Sequence, residues 1–174
     1  YIEVNGSVES RKNVVISAES QGLIEKIYVT EGEAVKAGQT LIRLNNDILM
    51  RSYEELQTSY ELAKTMYERQ SNLWDKKIGT EVQYLEAKNR KESLENQIKT
   101  LRSQIEKKYI KAPFSGTIDQ LDAKLGQYAQ PAVPLIRLVS LENLYIKADV
   151  SEAYIGSISN GDSTTVTFSS LNQE

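Results

Sequence analysis

The sequence contains no cysteine and no histidine among its 174 residues. This removes thiol nucleophiles, disulfides, the commonest zinc ligands and the side chain that most often moves protons near neutral pH. No apolar run approaches the roughly 20 residues that span a bilayer, and the chain opens at Tyr1 without a basic and apolar leader, so an export signal or lipid anchor is expected to lie outside it. The net charge of -3 leaves no basic footprint, and the lysines and arginines are interleaved with glutamates. That arrangement does not suit phosphate binding, and no nucleic-acid partner is expected. What remains is the balance of an ordinary soluble chain, with 40% hydrophobic and 26% charged residues.

The chain repeats itself. Residues 16–44 align without a gap on residues 110–138 at a constant offset of 94, with nine identities in 29 positions. Ile16, Ala18, Gly22, Ile24 and Gly32 match Ile110, Ala112, Gly116, Ile118 and Gly126, and Leu41-Ile42-Arg43-Leu44 matches Leu135-Ile136-Arg137-Leu138. Apolar residues alternate within each copy and glycines mark the breaks, which predicts short β-strands. Gly22, Gly32, Gly116 and Gly126 are expected where the backbone needs positive φ or a close approach. Two copies of one half-motif predict a pseudo-twofold sandwich.

The pattern G-x-I, then G-x-x-V-x-x-G-x-x-L, then A-P-x-x-G-x-I resembles the two halves of a biotinyl/lipoyl domain. In that family a tight hairpin between the halves carries the modified lysine. Here Asn45-Asn46-Asp47-Ile48 follows Leu44, with no lysine at the turn, and 65 residues precede the second half at Ile110. A swinging-arm carrier is therefore the weaker reading, and no cofactor is expected.

The segment from about Asn46 to Lys108 has no proline and one glycine, Gly79, near its middle. Helix formers dominate it, and apolar residues recur at heptad spacing in two runs. The first is Tyr53, Leu56, Tyr60, Ala63, Tyr67 and Trp74; the second is Tyr84, Ala87, Leu94, Ile98, Leu101 and Ile105. An antiparallel coiled-coil hairpin is predicted, with a helix C-terminus at Lys77-Ile78 and Gly79 just beyond it. Thr80-Glu81-Val82-Gln83 reads as a capping box opening the second helix. Arms of about 30 residues project on the order of 45 Å.

A hairpin set between two lipoyl half-motifs resembles the membrane fusion proteins, the periplasmic adaptors of the HlyD and RND efflux type. Leu141 to Glu152 with Ile155 and Gly161 looks like the start of that family's β-barrel domain, and Ile2 to Val8 like the strand entering from it. The fold class expected is thus α+β: a lipoyl-like flattened barrel or sandwich split by a helical hairpin, plus part of a second β-barrel. The expected division is 1–13 (strand from the barrel), 14–45 (first lipoyl-like half), 46–108 (hairpin, tip near 78–80), 109–140 (second half) and 141–174 (partial barrel).

The resemblance implies a non-catalytic subunit of a tripartite efflux pump. Its partners would be an inner-membrane transporter, RND more than ABC, a TolC-type outer-membrane channel, and further copies of itself in a ring, commonly of six. It would sit in the periplasm, anchored to the inner membrane through a segment outside this sequence, which is expected to be a piece of a longer protein. Arg69, Leu73 and Thr80 are similar to the Arg-Leu-Ser tip motif of adaptors that dock on such channels. In an arbitrary hairpin these would be a solvated charge, a tip-packing leucine and a helix cap; the lipoyl-like flanks turn the expectation to partner contact. Tyr53, Tyr60 and Tyr67 are expected in the seam and Trp74 between the arms. Glu54 and Glu55 point to different helix faces and make no acid–base pair. Two methionines and no histidine leave no ligand set for handling metal cargo, and no metal site is expected. The readings from other classes are a biotinyl/lipoyl carrier and a purely structural coiled-coil spacer.

Overall fold

The computed structural model describes residues 4–142 and 144–167, without the side chain of Ile155. Among the described residues ten strands and two long helices follow in order. β1 (Gly6–Ser10), β2 (Asn13–Ser17), β3 (Gly22–Ile27), β4 (Ala34–Val35) and β5 (Thr40–Leu44) precede α1 (Asp47–Asp75) and α2 (Glu81–Glu106). Then come β6 (Tyr109–Lys111), β7 (Gly116–Leu121), β8 (Tyr128–Ala129), β9 (Pro134–Val139), β10 (Leu144–Ala148) and a 3-10 turn over Glu152–Ser157.

The two half-motifs exchange strands. One four-stranded sheet has the order β2-β9-β7-β4 and the other β6-β5-β3-β8, so each takes two strands from each half. The offset of 94 relates the two sheets in detail. Gly32 N–H donates to Ile118 O at 2.8 Å, and Gly126 N–H donates to Ile24 O at 2.9 Å. Bulges fall between Ile24 and Lys26 in one sheet and between Ile118 and Gln120 in the other. Arg43 bridges Glu25 at 2.8 Å, and Arg137 reaches Asp119, the repeat-related partner, at 3.6 Å. Neither half can bury its apolar face alone, because its partner strands belong to the other half.

The core obeys the same rule. Ala18, Ile24, Val29, Val35, Leu41, Ile42 and Leu44 are buried, and so are Ala112, Ile118, Ala123, Ala129, Leu135, Ile136 and Leu138, their counterparts across the repeat. Each fully buried Leu or Ile contributes about 1.5–3 kcal/mol relative to exposure. Alternation along β5 and β9 places these residues inward, although Leu41 and Ile42 are both buried because the pleat is interrupted.

Glycine has two distinct uses here. Gly32 and Gly126 have φ of 80° and 79° with open space where a Cβ would stand, so conformation requires them. Gly116 instead lies under β9: a Cβ there would come 2.5 Å from the Val139 carbonyl oxygen. Gly22 meets neither expectation. Its φ is not positive, and a Cβ would sit at an ordinary 3.4 Å from Leu44 Cβ. The difference arises where the halves part: β9 continues to Val139, while the equivalent position, Asn45, is where the chain leaves its sheet for α1.

β1 and β10 form a separate antiparallel ribbon with Gly6 opposite Ala148 and Ser10 opposite Leu144. The chain entering the first half thus lies beside the chain leaving the second. Of the segments expected to belong to a further barrel, residues 1–3, Asn143, the Ile155 side chain and residues 168–174 lie outside the described residues.

Candidate docking site at the hairpin tip

The helices form because their heptad positions meet. Tyr53, Leu56, Tyr60, Ala63 and Tyr67 of α1 face Tyr84, Ala87, Leu94, Ile98, Leu101 and Ile105 of α2; Ala63 is buried and the others half-buried. A seam this shallow holds two helices with modest burial, so their ends matter. Aromatic packing closes the distal part. Tyr84 lies 5.9 Å from Tyr67 and stacks on Trp74 at 6.1 Å with 14° between planes, while Lys91 Nζ sits 5.5 Å over the Tyr67 ring. Trp74 therefore bridges the arms, yet it keeps 39% of its surface exposed. The neighbouring Tyr67 hydroxyl raises the pKa of the Tyr84 phenol above its ordinary 10.0.

At the turn, Ile78 N–H donates to Leu73 O and Lys77 N–H to Trp74 O, both at 2.8 Å. This is a Schellman closure, and its left-handed residue is Lys77 at φ 59°, not Gly79 as the sequence pattern predicts. Gly79, at φ 97°, comes two residues later and turns the chain into α2. There Thr80 Oγ1 accepts from Gln83 N–H at 3.4 Å, and Gln83 Oε1 accepts from Thr80 N–H at 3.3 Å. The predicted capping box is present, and it engages the Thr80 hydroxyl within the chain.

Arg69 and Leu73 lie one turn apart on α1, and both are exposed. Among the described residues Arg69 enters no ion pair. Thr80 is exposed across the turn at the start of α2. The three residues thus lie along the distal end of one hairpin, with Arg69 and Leu73 on one face.

Sequence reasoning passed over their apolar neighbours. Leu62 and Met66 precede Arg69 and Leu73 at spacings of four, three and four, which puts all four on one helical face. Leu62 is 62% exposed and Met66 49%. Ile78 in the turn and Val82 and Leu85 on α2 are exposed as well. The signal was a second stripe at helical spacing, beside the seam that the heptads had already claimed.

The sandwich carries a second uneven surface. Leu23 on β3 pairs with Tyr128 on β8, and both side chains face solvent, as does Leu125 in the preceding turn. Their repeat counterparts are Thr117, Ala34 and Glu31, where the Glu31 carboxylate accepts from Leu121 N–H at 2.9 Å. The same fold is satisfied by polar or small residues on one side and presents apolar ones on the other.

Comparison with known proteins places this arrangement. Residues 49–107 match the model of the CzcB-like alpha-helical hairpin domain. A MacA-MexA chimeric protein containing the Pseudomonas aeruginosa MexA α-hairpin domain superposes with a TM-score of 0.79 at 24% identity, over 88% of this chain and 55% of that one. The membrane fusion protein Spr0693 of Streptococcus pneumoniae superposes with a TM-score of 0.65 at 18% identity, over 88% of this chain and 70% of that one. An uncharacterized protein of Haemophilus influenzae is 21% identical over 95% of this chain and 44% of its own length. The chain spans less than half of that relative and about half of the chimera. Over residues 49–107 the chain is similar to the CzcB-like α-helical hairpin domain, and its fold is that of the chimera and of the membrane fusion protein Spr0693.

Proposed function

We propose that this chain is the central part of a periplasmic adaptor in a tripartite efflux pump, joining an inner-membrane transporter to a TolC-type outer-membrane channel. The observation that carries the reading is the hairpin itself: a projecting pair of helices whose exposed tip holds Arg69 and Leu73 on one face and Thr80 across the turn. A free arginine among exposed apolar side chains supplies both a directional charge-assisted donor and area to desolvate, the combination that anchors protein interfaces. Thr80 contributes its exposed methyl and its O–H donor, since the cap engages the hydroxyl only as an acceptor.

The role is mechanical and non-catalytic, and the partner transporter, of the RND type in preference to the ABC type, supplies the energy. The protein works in the periplasm, held to the inner membrane by a segment outside this sequence. Several copies, commonly six in such pumps, pack side by side. A head-to-tail ring needs two different flanks on each copy, and the Leu23–Tyr128 side against the Ala34–Thr117 side supports this.

A photo-crosslinking amino acid placed at Leu73 of the full-length protein in its own bacterium tests the docking. The expected product is an adduct with the outer-membrane channel that disappears with Arg69→Asp. An adduct confined to the inner-membrane transporter would contradict the proposed direction of the hairpin.

A further inference from the structure

The two broad faces of the hairpin differ in chemistry. The helices run antiparallel, with Tyr53 meeting Arg102 near the base and Tyr67 meeting Tyr84 near the tip. Residues that immediately precede a seam position therefore lie on the same side of the hairpin in both helices, and those that immediately follow one lie on the other. On the following side stand Glu54, Glu61, Lys64 and Glu68 of α1, all exposed, and Glu95 of α2, which bridges Lys91 and Lys99. That face is a solvated, charged surface. The preceding side carries Leu62, Met66 and Leu73 on α1, and the uncharged Ser93, Gln97, Thr100 and Gln104 on α2, all exposed. A shallow groove of about 670 Å³ runs along this α2 row, with Leu56 and Leu101 in its lining.

The charges on the α1 part of this side are self-complementary. Glu55, Leu62 and Arg69 are exposed and fall at intervals of seven, each just before a seam residue: Leu56, Ala63 and Gln70. A carboxylate and a guanidinium thus stand about 10 Å to either side of a leucine that is 62% exposed. We propose that this face pairs with the same face of a second copy of the chain, antiparallel, about a twofold axis at Leu62. Each Glu55 then lies opposite the partner's Arg69, Leu62 packs on the partner's Leu62, and Met66 falls against the small side chains at the partner's Thr58 and Ser59. The hydroxyl and amide groups of α2 meet their own kind, so no like charges oppose. Packing this face on the charged one instead would set Leu62 and Met66 against carboxylates and ammonium groups, which must lose their water without a partner. The overlap from Ser52 to Leu73 is about 30 Å long and about 20 Å wide, or on the order of 1,200 Å² over both copies, the size of a reversible contact. The sandwiches stand at opposite ends of such a pair, so their flanks take no part in it. The pair covers Arg69 and Leu73, and a partner bound at the tip excludes it.

The sequence has no cysteine, so one introduced cysteine reports cleanly. Purified full-length protein with no other cysteine would be oxidised carrying either Leu62→Cys at the proposed axis or Asn72→Cys near the tip, and the disulfide-linked dimer followed by non-reducing electrophoresis. Leu62→Cys should crosslink rapidly. Asn72→Cys should not, because an antiparallel pair holds the two copies of that position about 30 Å apart. The decisive arm is charge reversal, read as the dimer dissociation constant by analytical ultracentrifugation of the cysteine-free protein. Glu55→Arg and Arg69→Glu should each weaken pairing about tenfold, since one substitution spoils both symmetry-related pairs, and the double reversal should restore it. All four positions are exposed, and unchanged helix content by circular dichroism checks that each variant is folded. Slow crosslinking of Leu62→Cys, equal crosslinking of Asn72→Cys, or a double reversal no tighter than the single ones would overturn the antiparallel pair. No channel is present in these measurements, so their outcome is separate from that of the docking test.

Discussion

Gly22 and Gly116 occupy the same place in the two halves, and an alanine at each should behave differently. At Gly116 the new Cβ would stand 2.5 Å from the Val139 carbonyl oxygen and 3.1 Å from its carbon, both backbone atoms of a paired strand. No rotamer relieves this, so β7 must move from β9 or the pairing of Thr117 with Val139 must open. Overpacking of this kind costs about 1–3 kcal/mol, and a broken ladder bond adds about 1 kcal/mol. At Gly22 the nearest atoms are Leu44 Cβ at 3.4 Å and the end of Lys108 at 3.5 Å, and φ is not positive. Gly22→Ala should therefore lie between neutral and a gain of about 0.4–1 kcal/mol from the lost freedom of the unfolded chain. The pair should differ by roughly 2–4 kcal/mol, which for a chain of this size is on the order of 5–15 °C in melting temperature. Thermal melts followed by circular dichroism, with urea midpoints as a second measure, decide it. Equal losses at the two sites, or the larger loss at Gly22, would refute the argument that Val139 makes the halves unequal.

Two further outcomes follow from the hairpin. Lys77 holds φ 59° without glycine's freedom, so Lys77→Gly should relieve the turn and stabilise the hairpin by about 0.5–1 kcal/mol, read as slower amide exchange around residues 73–83. Glu95 pairs with Lys99 at 3.2 Å and Lys91 at 3.6 Å, and the Lys99 hydrogen bond, first among these effects, holds its pKa below the ordinary 4.5. A lowered carboxyl pKa gives stability that is present above the unfolded value and lost as pH falls through the folded one. The α2 signal at 222 nm should thus weaken on acidification below about pH 4.5, less so in high salt, and Glu95→Gln should flatten that part of the titration.

The pseudo-twofold sandwich was readable because the repeat is gapless, whereas the exchange of strands between the halves came only with the sheet order. Residues at an offset of 94 make the same hydrogen bonds, bulges and core contacts, so alignment alone paired Ile24 with Ile118 and Leu44 with Leu138. The heptads marked the seam for a similar reason, since a fixed period leaves one stripe facing the partner helix. What the pattern could not show depends on atoms far off in sequence or on a choice between equivalent turns. Gly22 and Gly116 look alike until the carbonyl of Val139 is placed. Lys77 takes the left-handed position because the Schellman bonds select a place in the turn, and Gly79 two residues later was free for the next bend. The exposed row of Leu62, Met66, Arg69 and Leu73 was visible as a period but was hidden behind the stronger one.

Efflux itself tests the docking role most directly. Intracellular dye accumulation would be measured in the parent bacterium carrying the full-length protein with Arg69→Asp, with its level and melting temperature checked against the unaltered protein. Arg69 is exposed and outside any ion pair among the described residues, so the charge reversal should leave stability within about 0.5 kcal/mol. A tip that docks on an outer-membrane channel predicts dye accumulation at unchanged protein level and melting. Normal efflux under the same conditions would contradict it and leave the hairpin a plain coiled-coil spacer.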